Sequence, residues 1–125
     1  MTSLIVDDNK IARTTMKQLV SQVKDLKLIG DCENAVDAYK QIVGNDIDLL
    51  LLDIEMPGLT GLEALPAIRA LAPEAKVVML SGIHDEVIAR QTLARGAFDY
   101  IVKPLDLTYL GRTLDTITAM SVQGL

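Results

Sequence analysis

Short apolar runs alternate with longer amphipathic segments along the chain, and the alternation repeats five times. The runs are hydrophobic at successive positions, which is typical of strands in a parallel sheet that is covered on both faces. The second run departs from this pattern because it is short and is flanked by Lys27 and Asp31. The predicted strands span residues 4–6, 28–29, 49–52, 77–80 and 100–102.

Between the strands, apolar residues recur every three or four positions, which is the period of an amphipathic helix. A fifth such helix begins at Asp106 and is weakened by Gly111. The residues predicted to face the core are Ala12, Met16, Leu19, Val20 and Val23 in the first helix, Ala35, Tyr39, Ile42 and Val43 in the second, and Leu107, Leu110, Leu114 and Ile117 in the fifth.

Start and stop signals frame the third and fourth helices. Thr60 and Glu63 have the spacing of a capping box, which predicts the start of the third helix at this point. Pro66 lies inside that helix and lacks a backbone donor, so we expect a kink there or a loosened first turn. The fourth helix is predicted to run from near Asp85 to a glycine cap at Gly96.

Five β-α units predict an α/β fold, a parallel sheet with right-handed crossovers and helices on both faces. A chain of 125 residues that is 50% hydrophobic is long enough to form one domain over residues 1–125 without disulfides. The single cysteine, Cys32, excludes an internal disulfide and a multi-cysteine zinc site. No signal peptide or membrane-spanning stretch is recognised in the sequence. We therefore expect a cytoplasmic protein that does not insert into membranes. The net charge of -5 argues against direct contact with nucleic acid.

Polar side chains follow four of the predicted strands at their carboxyl ends, where open parallel sheets bind ligands. Asp7 and Asp8 follow the first strand, Asp53 the third, Ser81 the fourth and Lys103 the fifth. Two carboxylates about 4 Å apart repel by roughly 4 kcal/mol at an effective dielectric of 20, so a cation is expected among them. Hard oxygen ligands in small number favour Mg²⁺ over a transition metal.

This set of side chains fits phosphoryl transfer to a carboxylate, because the nucleophile is already ionised and Lys103 can neutralise a phosphoryl oxygen. No general base is required, and His84 is expected to lie on the surface. Simpler interpretations stay open for single residues. Asp7 and Asp8 also fit an N-cap of the first helix, Lys103 a strand-end lysine that reaches solvent, and Ser81 a hydroxyl bonded to nearby backbone.

Five motifs together resemble the response-regulator receiver domains of two-component signalling. The resemblance implies a CheY-like, flavodoxin-like (βα)5 fold with strand order 2-1-3-4-5 and a cis peptide bond between Lys103 and Pro104. It also implies a signalling phosphoacceptor that catalyses only its own phosphorylation and dephosphorylation. The first half most resembles receivers of regulators with LytTR-type DNA-binding domains. The motifs are LIVDDN at 4–9, LLLLDIEMPG at 49–58, GLE at 61–63, VVMLSG at 77–82 and FDYIVKP at 98–104.

The resemblance assigns chemical roles to the residues at the strand ends. Asp53 is implied to be the phosphoacceptor, which receives the phosphoryl group from a sensor histidine kinase or a phosphotransfer protein. Asp8, Asp53 and the backbone carbonyl of Glu55 are implied to bind Mg²⁺ directly, and Asp7 through water. Lys103 is implied to contact a phosphoryl oxygen.

The same resemblance implies a conformational switch. Ser81 would move to hydrogen-bond the phosphoryl group, and the ring of Tyr100 would turn inward. The output face would be formed by the fourth helix, fifth strand and fifth helix, and a phosphorylation-dependent homodimer would use this face at Ile88 and Tyr100. Glu55 and Ile83 vary among receivers, and we expect them to set the lifetime of the phosphoryl group.

Three other classes of protein fit the sequence less well. A phosphohydrolase of the haloacid dehalogenase type needs a D-x-D motif after the first strand and room for a cap domain. A flavin carrier needs a phosphate-binding loop after the first strand and aromatic side chains around the flavin, and this chain has three tyrosines, one phenylalanine and no tryptophan. A Rossmann dehydrogenase needs a G-x-G-x-x-G motif, which is absent.

Overall fold

The computed structural model describes residues 1–122 and has one five-stranded parallel sheet with five helices. The strand order is β2-β1-β3-β4-β5, which confirms the predicted doubly wound topology. Within the described residues, no helix is long and apolar enough to span a bilayer. The elements are β1 Thr2–Val6, α1 Lys10–Ser21, β2 Lys27–Cys32, α2 Ala35–Val43, β3 Leu49–Asp53, α3 Gly61–Leu71, β4 Lys76–Ser81, α4 Glu86–Ala94, β5 Asp99–Val102 and α5 Leu107–Val122.

The core consists of two hydrophobic layers, one on each face of the sheet. Alternate residues of a strand point to opposite faces, so β3 contributes Leu50 and Leu52 to one layer and Leu49 and Leu51 to the other. The first layer contains buried residues of α2 and α3, and the second contains buried residues of α1 and α5. Strands β1, β3 and β4 are almost wholly buried, as their continuous apolar runs predict.

Two of the residues predicted to face the core are exposed instead, and both are at the end of a helix. Val43 is the last residue of α2 and Leu107 is the first of α5, and both are exposed. Val23 lies beyond α1, which ends at Ser21, although its side chain still packs against the second layer. The period of an amphipathic helix does not specify where the helix ends, so terminal residues are the least well predicted.

The third helix shows how the chain accommodates an internal proline. Its capping box is formed, since Thr60 Oγ1 accepts from the Glu63 amide at 3.2 Å and Glu63 Oε1 accepts from the Thr60 amide at 3.1 Å. The first turn is therefore closed rather than loosened, and α3 is continuous through Pro66. Pro66 cannot donate to the Leu62 carbonyl, and Arg95 Nη1 at the end of α4 donates to that carbonyl instead, at 3.3 Å.

The fourth helix has the predicted boundaries. The side chain of Asp85 accepts hydrogen bonds from the amides of Val87 and Ile88, so Asp85 is its N-cap. After Arg95, the chain leaves the helix at Gly96, whose φ angle of 98° favours glycine.

Candidate functional site

The three aspartates predicted to converge lie together at the carboxyl ends of β1 and β3. These strands are neighbours in the sheet, and Val6 pairs with Leu52 just before the aspartates. One carboxylate oxygen from each of Asp7, Asp8 and Asp53 lies within 4.8 Å of the others. Asp7 is 0% exposed and Asp53 is 2% exposed, whereas Asp8 is open to solvent. The strand-end argument from the sequence is therefore confirmed for this acidic cluster.

Lys103 reaches the acidic cluster from the end of β5. Its Nζ lies 2.8 Å from Asp7 Oδ2 and 3.2 Å from Asp53 Oδ1, and its peptide bond to Pro104 is cis, as predicted. Burial alone would lower the pKa of Lys103, but hydrogen bonding to Asp7 and the charges of Asp53 and Asp7 outweigh it and the pKa is raised. Lys103 is thus an ammonium held inside the site and does not extend to solvent as the simpler interpretation expected.

The surroundings of Asp53 disfavour its ionised form. Burial raises the pKa of its carboxyl to about 7 against the opposing charge of Lys103, and the charge of Asp7 adds to the rise. One ammonium therefore does not fully offset the desolvation of this carboxylate. A further cation among the three aspartates would favour its ionised, nucleophilic form.

The two oxygens of Asp53 have different surroundings. Oδ1 is close to Lys103 and accepts a hydrogen bond from the Glu55 amide at 3.3 Å. No hydrogen bond to Oδ2 is found within residues 1–122, and no fully enclosed polar side-chain atom in that range lacks a partner. Oδ2 is therefore the less constrained of the two carboxylate oxygens.

Asn9 makes the hydrogen bonds that shape the segment between β1 and α1. Asn9 is the N-cap of α1, since its Oδ1 accepts from the Ala12 amide at 2.9 Å, so the alternative assignment of Asp7 or Asp8 as the cap is wrong. Asp7 Oδ1 instead accepts from the Asn9 amide at 2.9 Å, and Arg13 Nη1 donates to the Asp7 carbonyl at 2.8 Å. The cap at Asn9 leaves the carboxylate of Asp8 available for a ligand.

Gly61 is a site residue that the sequence argument did not identify, although it begins the GLE motif. It packs against the end of β3, and its amide donates to the Ile54 carbonyl at 3.0 Å. A Cβ atom at this position would lie 2.2 Å from the carbonyl oxygen of Asp53, which is too close for any side chain. The one signal available in the sequence was a glycine at the start of a capped helix, where better helix formers are usual.

Ser81 lies at the end of β4, but its hydroxyl is not bonded to the acidic cluster. Ser81 Oγ lies 3.0 Å from Glu55 Oε1 and 3.0 Å from the Ile83 carbonyl, and it accepts from the Ile83 amide at 3.0 Å. The Gly82 amide also donates to Glu55 Oε1, at 2.6 Å. The Ser81 hydroxyl is thus bonded to nearby backbone, as the simpler interpretation expected, and the contact with Glu55 is an addition that the sequence did not suggest.

Tyr100 lies on β5 and is partly buried. Its hydroxyl donates to the Ile83 carbonyl at 2.6 Å. A mainly apolar cavity of about 220 Å³ is bordered by Tyr100, Ser81 and Ile88. His84, in the loop before α4, is exposed as predicted.

Comparisons with known proteins agree on one family. The family model of the response regulator receiver domain matches residues 3–115. The chain is 40% identical over 101 residues to the chemotaxis protein CheY of Listeria monocytogenes, which covers 81% of this chain and 84% of that protein. It is also 35% identical over 119 residues to an uncharacterized response regulatory protein of Shewanella oneidensis, covering 94% of this chain but 48% of that protein. The chain thus spans about half the length of this second relative.

A solved structure supports the same assignment. The structure of a CheX-CheY-BeF3-Mg complex from Borrelia burgdorferi contains a chain with a TM-score of 0.79 and 30% identity, covering 98% of this chain and 88% of that one. The family-model match over residues 3–115 includes the strands that carry the acidic cluster, and also Ser81 and Lys103. From its fold, its acidic pocket and these relatives, we conclude that the chain belongs to the response regulator receiver domains, the phosphoacceptor domains of two-component signalling.

Proposed function

We propose that Asp53 is the phosphoacceptor and that residues 1–125 form a single receiver domain. The observation that carries this proposal is the position of Asp53, buried beside Asp7 and Lys103, with no hydrogen bond to its Oδ2 within residues 1–122. Asp53 Oδ2 attacks the phosphorus of a phosphohistidine on a sensor kinase or phosphotransfer protein. The oxygen–phosphorus bond forms as the phosphorus–nitrogen bond breaks, and the imidazole nitrogen keeps the electron pair.

The donor set fits a magnesium ion. Three carboxylates and one ammonium leave an excess of negative charge in a partly buried site, and carboxylate oxygens are ligands that Mg²⁺ prefers. Asp8, Asp53 and the backbone carbonyl of Glu55 would hold the ion directly, and Asp7 through water. When bound, Mg²⁺ supplies positive charge that offsets repulsion between the carboxylates and a phosphoryl group.

Lys103 and Asp7 act as a positioned pair in this proposal. The hydrogen bond from Lys103 to Asp7 holds the ammonium beside Asp53, where it can stabilise a phosphoryl oxygen during transfer. The chain then catalyses only its own phosphorylation and dephosphorylation, and it is not an enzyme acting on another substrate.

Phosphorylation with acetyl phosphate tests the acceptor. The parent should gain one phosphoryl group with Mg²⁺ and none in EDTA, by intact mass, and borohydride trapping followed by peptide mapping should place it on Asp53. Asp53→Asn should not be labelled, and Asp8→Ala should lose labelling although Asp53 remains. Asp115→Ala, at an exposed position on α5, is the matched control and should be labelled like the parent. Labelling at another residue, or equal labelling in EDTA, would refute the mechanism.

We propose that phosphorylation changes the output surface through movement of the Ser81 hydroxyl and the Tyr100 ring. Lys103→Ala should retain Mg²⁺ binding yet uncouple phosphorylation from movement of these two residues, which NMR of the phosphorylated variant can measure. The cavity beside Tyr100 supports this proposal because it leaves space in which the ring can move. Unchanged coupling in Lys103→Ala would contradict the assigned role of the lysine.

The face of α4, β5 and α5 is the proposed contact surface for an output partner or a second copy of the chain. Exposed apolar side chains on the three elements support it, namely Val87, Val102 and Leu107. Light scattering with Mg²⁺ and beryllium fluoride should show a dimer that Val87→Lys abolishes and that Val36→Lys, on the equally exposed surface of α2, leaves intact. A dimer lost only in Val36→Lys would place the interface elsewhere.

Glu55 and Ile83 are proposed to set the phosphoryl lifetime. Ile83 is exposed and lies close to Ser81, so its side chain borders the approach to the site. Replacing both residues by small polar ones should change the dephosphorylation half-life and leave acceptance intact, and an unchanged half-life would contradict the proposal.

The resemblance to LytTR-type regulators, the histidine kinase partner and the cytoplasmic location also remain proposals.

A further inference from the structure

Two hydrogen-bond donors at the end of β4 converge on one carboxylate oxygen. The Ser81 hydroxyl lies 3.0 Å from Glu55 Oε1, and the Gly82 amide lies 2.6 Å from the same atom. A Cβ atom on Gly82 would lie 3.5 Å from this oxygen, so the backbone itself is close to the carboxylate. Two donors around one anionic oxygen are also an arrangement that binds an oxygen of a phosphoryl group. We call the Ser81 hydroxyl and the Gly82 amide the donor pair.

The donor pair and the acceptor lie at the ends of neighbouring strands. Asp53 pairs with Leu80 in the sheet, so Ser81 follows directly beside the acceptor. The backbone of Glu55 lies beside the Asp53 carboxylate, since the Glu55 amide donates a hydrogen bond to Asp53 Oδ1. Its side chain then extends across to β4, and Glu55 as a whole is an exposed residue.

We propose that the Glu55 carboxylate substitutes for a phosphoryl oxygen in the unphosphorylated chain and must leave the donor pair before the pair can bind the phosphoryl group on Asp53. This inference rests on the proposed function of Asp53. Glu55 is then a positioning residue that acts through Ser81 and Gly82. Because Glu55 is exposed, its carboxylate can be displaced into solvent without leaving a buried charge.

The same contact connects the site with Tyr100. Ser81 Oγ is 3.0 Å from Glu55 Oε1 and also 3.0 Å from the Ile83 carbonyl, which accepts the Tyr100 hydroxyl. The serine has one hydroxyl proton, so it donates to only one of these oxygens at a time. While Glu55 accepts that proton, the Ile83 carbonyl is left to accept the Tyr100 hydroxyl, which ties the ring to the loop after β4.

Simple charge repulsion between Glu55 and the phosphoryl group is the competing explanation, and two variants separate it from the proposal. Glu55→Asp keeps the charge but shortens the side chain by one methylene, so it cannot reach the donor pair. Glu55→Gln removes the charge but keeps the length and an acceptor oxygen. Competition for the donor pair predicts tighter binding of a phosphoryl analogue by Glu55→Asp, whereas repulsion predicts tighter binding only by Glu55→Gln.

The experiment is a titration of Mg²⁺-loaded protein with beryllium fluoride, followed by proton–nitrogen NMR. Glu55→Asp should bind beryllium fluoride about fivefold more tightly than the parent, as expected when one competing hydrogen-bonded contact is lost. In the Mg²⁺-free protein, the Gly82 amide proton should resonate far downfield in the parent and move upfield in Glu55→Asp. Glu74→Asp and Glu74→Gln, at an exposed position before β4, are the matched controls and should resemble the parent.

Each result supports or overturns a defined claim. An unshifted Gly82 resonance in Glu55→Asp, or weaker beryllium fluoride binding than in Glu55→Gln, would overturn the role of Glu55 while leaving Asp53 as the acceptor. If the parent binds no beryllium fluoride at all, the proposed function itself is wrong. A downfield Gly82 resonance that persists in Glu55→Gln and is lost in Glu55→Asp would support the proposal.

Discussion

The proposed acceptor side and the proposed switch side of the site are built differently. The acceptor side, formed by β1, β3 and α3, has every residue of β3 buried and four buried residues on α3. The switch side, formed by α4 and β5, has one buried residue, Thr92, on α4 and none on β5. A segment with little buried apolar surface opens locally at low free energy, so the switch side is the part that can rearrange.

Their polar contacts differ in the same way. On the acceptor side, Asp7 and Asp53 are buried and are held by Lys103 within 3.2 Å. Tyr100 on the switch side, and Ser81 at the adjoining end of β4, are held by hydrogen bonds to the exposed residues Ile83 and Glu55. The half of the site that carries Asp53 is therefore held by buried ion pairs, and the half that carries Tyr100 by hydrogen bonds nearer the surface.

The largest expected effect compares two leucines on α3 and α4. Leu65→Ala leaves a cavity in the core and should lower the free energy of unfolding by about 3 to 4 kcal/mol. Leu93→Ala removes a side chain that is 48% exposed and should cost less than about 1 kcal/mol. Urea unfolding measures both, and equal losses would mean that the two sides do not differ in packing.

The next effect concerns the contact between α3 and the acceptor strand. Gly61→Ala forces a methyl group against the Asp53 carbonyl and should destabilise the fold by about 2 to 3 kcal/mol, with reduced phosphorylation of Asp53. Gly111→Ala is the matched control, since nothing lies within 4 Å of the position that its methyl group would take, and it should stabilise α5 by up to about 1 kcal/mol. A neutral Gly61→Ala in unfolding and acetyl phosphate assays would contradict the close packing of α3 against β3.

A smaller effect, of opposite sign, is expected from the acceptor itself. Folding raises the pKa of Asp53 from 3.8 to about 7, so its protonation stabilises the fold below about pH 4 and that contribution is lost as the pH rises to about 7. Asp53→Asn lacks this titration and should be more stable than the parent in EDTA, by on the order of 2 kcal/mol at pH 8 and by less at pH 5. Urea unfolding across this pH range tests it, with Asp115→Asn as control. A constant difference between parent and variant would show that burial does not destabilise the carboxylate.

The smallest effect tests the attachment of β5 to α5. Tyr109 donates to Asp99 Oδ2 at 2.7 Å, and Asp99 Oδ1 accepts from the Tyr100 amide at 2.8 Å. Tyr109→Phe should lower the free energy of unfolding by about 1 kcal/mol and increase hydrogen exchange at Tyr100. Tyr39→Phe is the control, because no hydrogen bond of its hydroxyl is found in the described range, and it should change little. Similar losses of unfolding free energy in both variants would show that the Tyr109 hydroxyl does not specifically attach β5 to α5.

The sequence predicted the features that depend on local patterns. Continuous apolar runs indicated the buried strands, the T-x-x-E spacing indicated the capping box of Thr60 and Glu63, and the strand-end rule brought Asp7 and Asp53 together. Helix termini were predicted less well, as Val43 shows, because a hydrophobic period continues beyond the point where a helix leaves the core.

By itself, the sequence determined the α/β topology and the residues at the strand ends, since hydrophobic periodicity and chain order specify which residues come to one edge of a parallel sheet. Only the tertiary structure decided which atoms meet there. Gly61 packs against Asp53, and Glu55 binds Ser81 and Gly82. These contacts join segments that are distant in the chain or depend on side-chain direction. They are set by the packing of strands and loops in three dimensions, which no local pattern encodes.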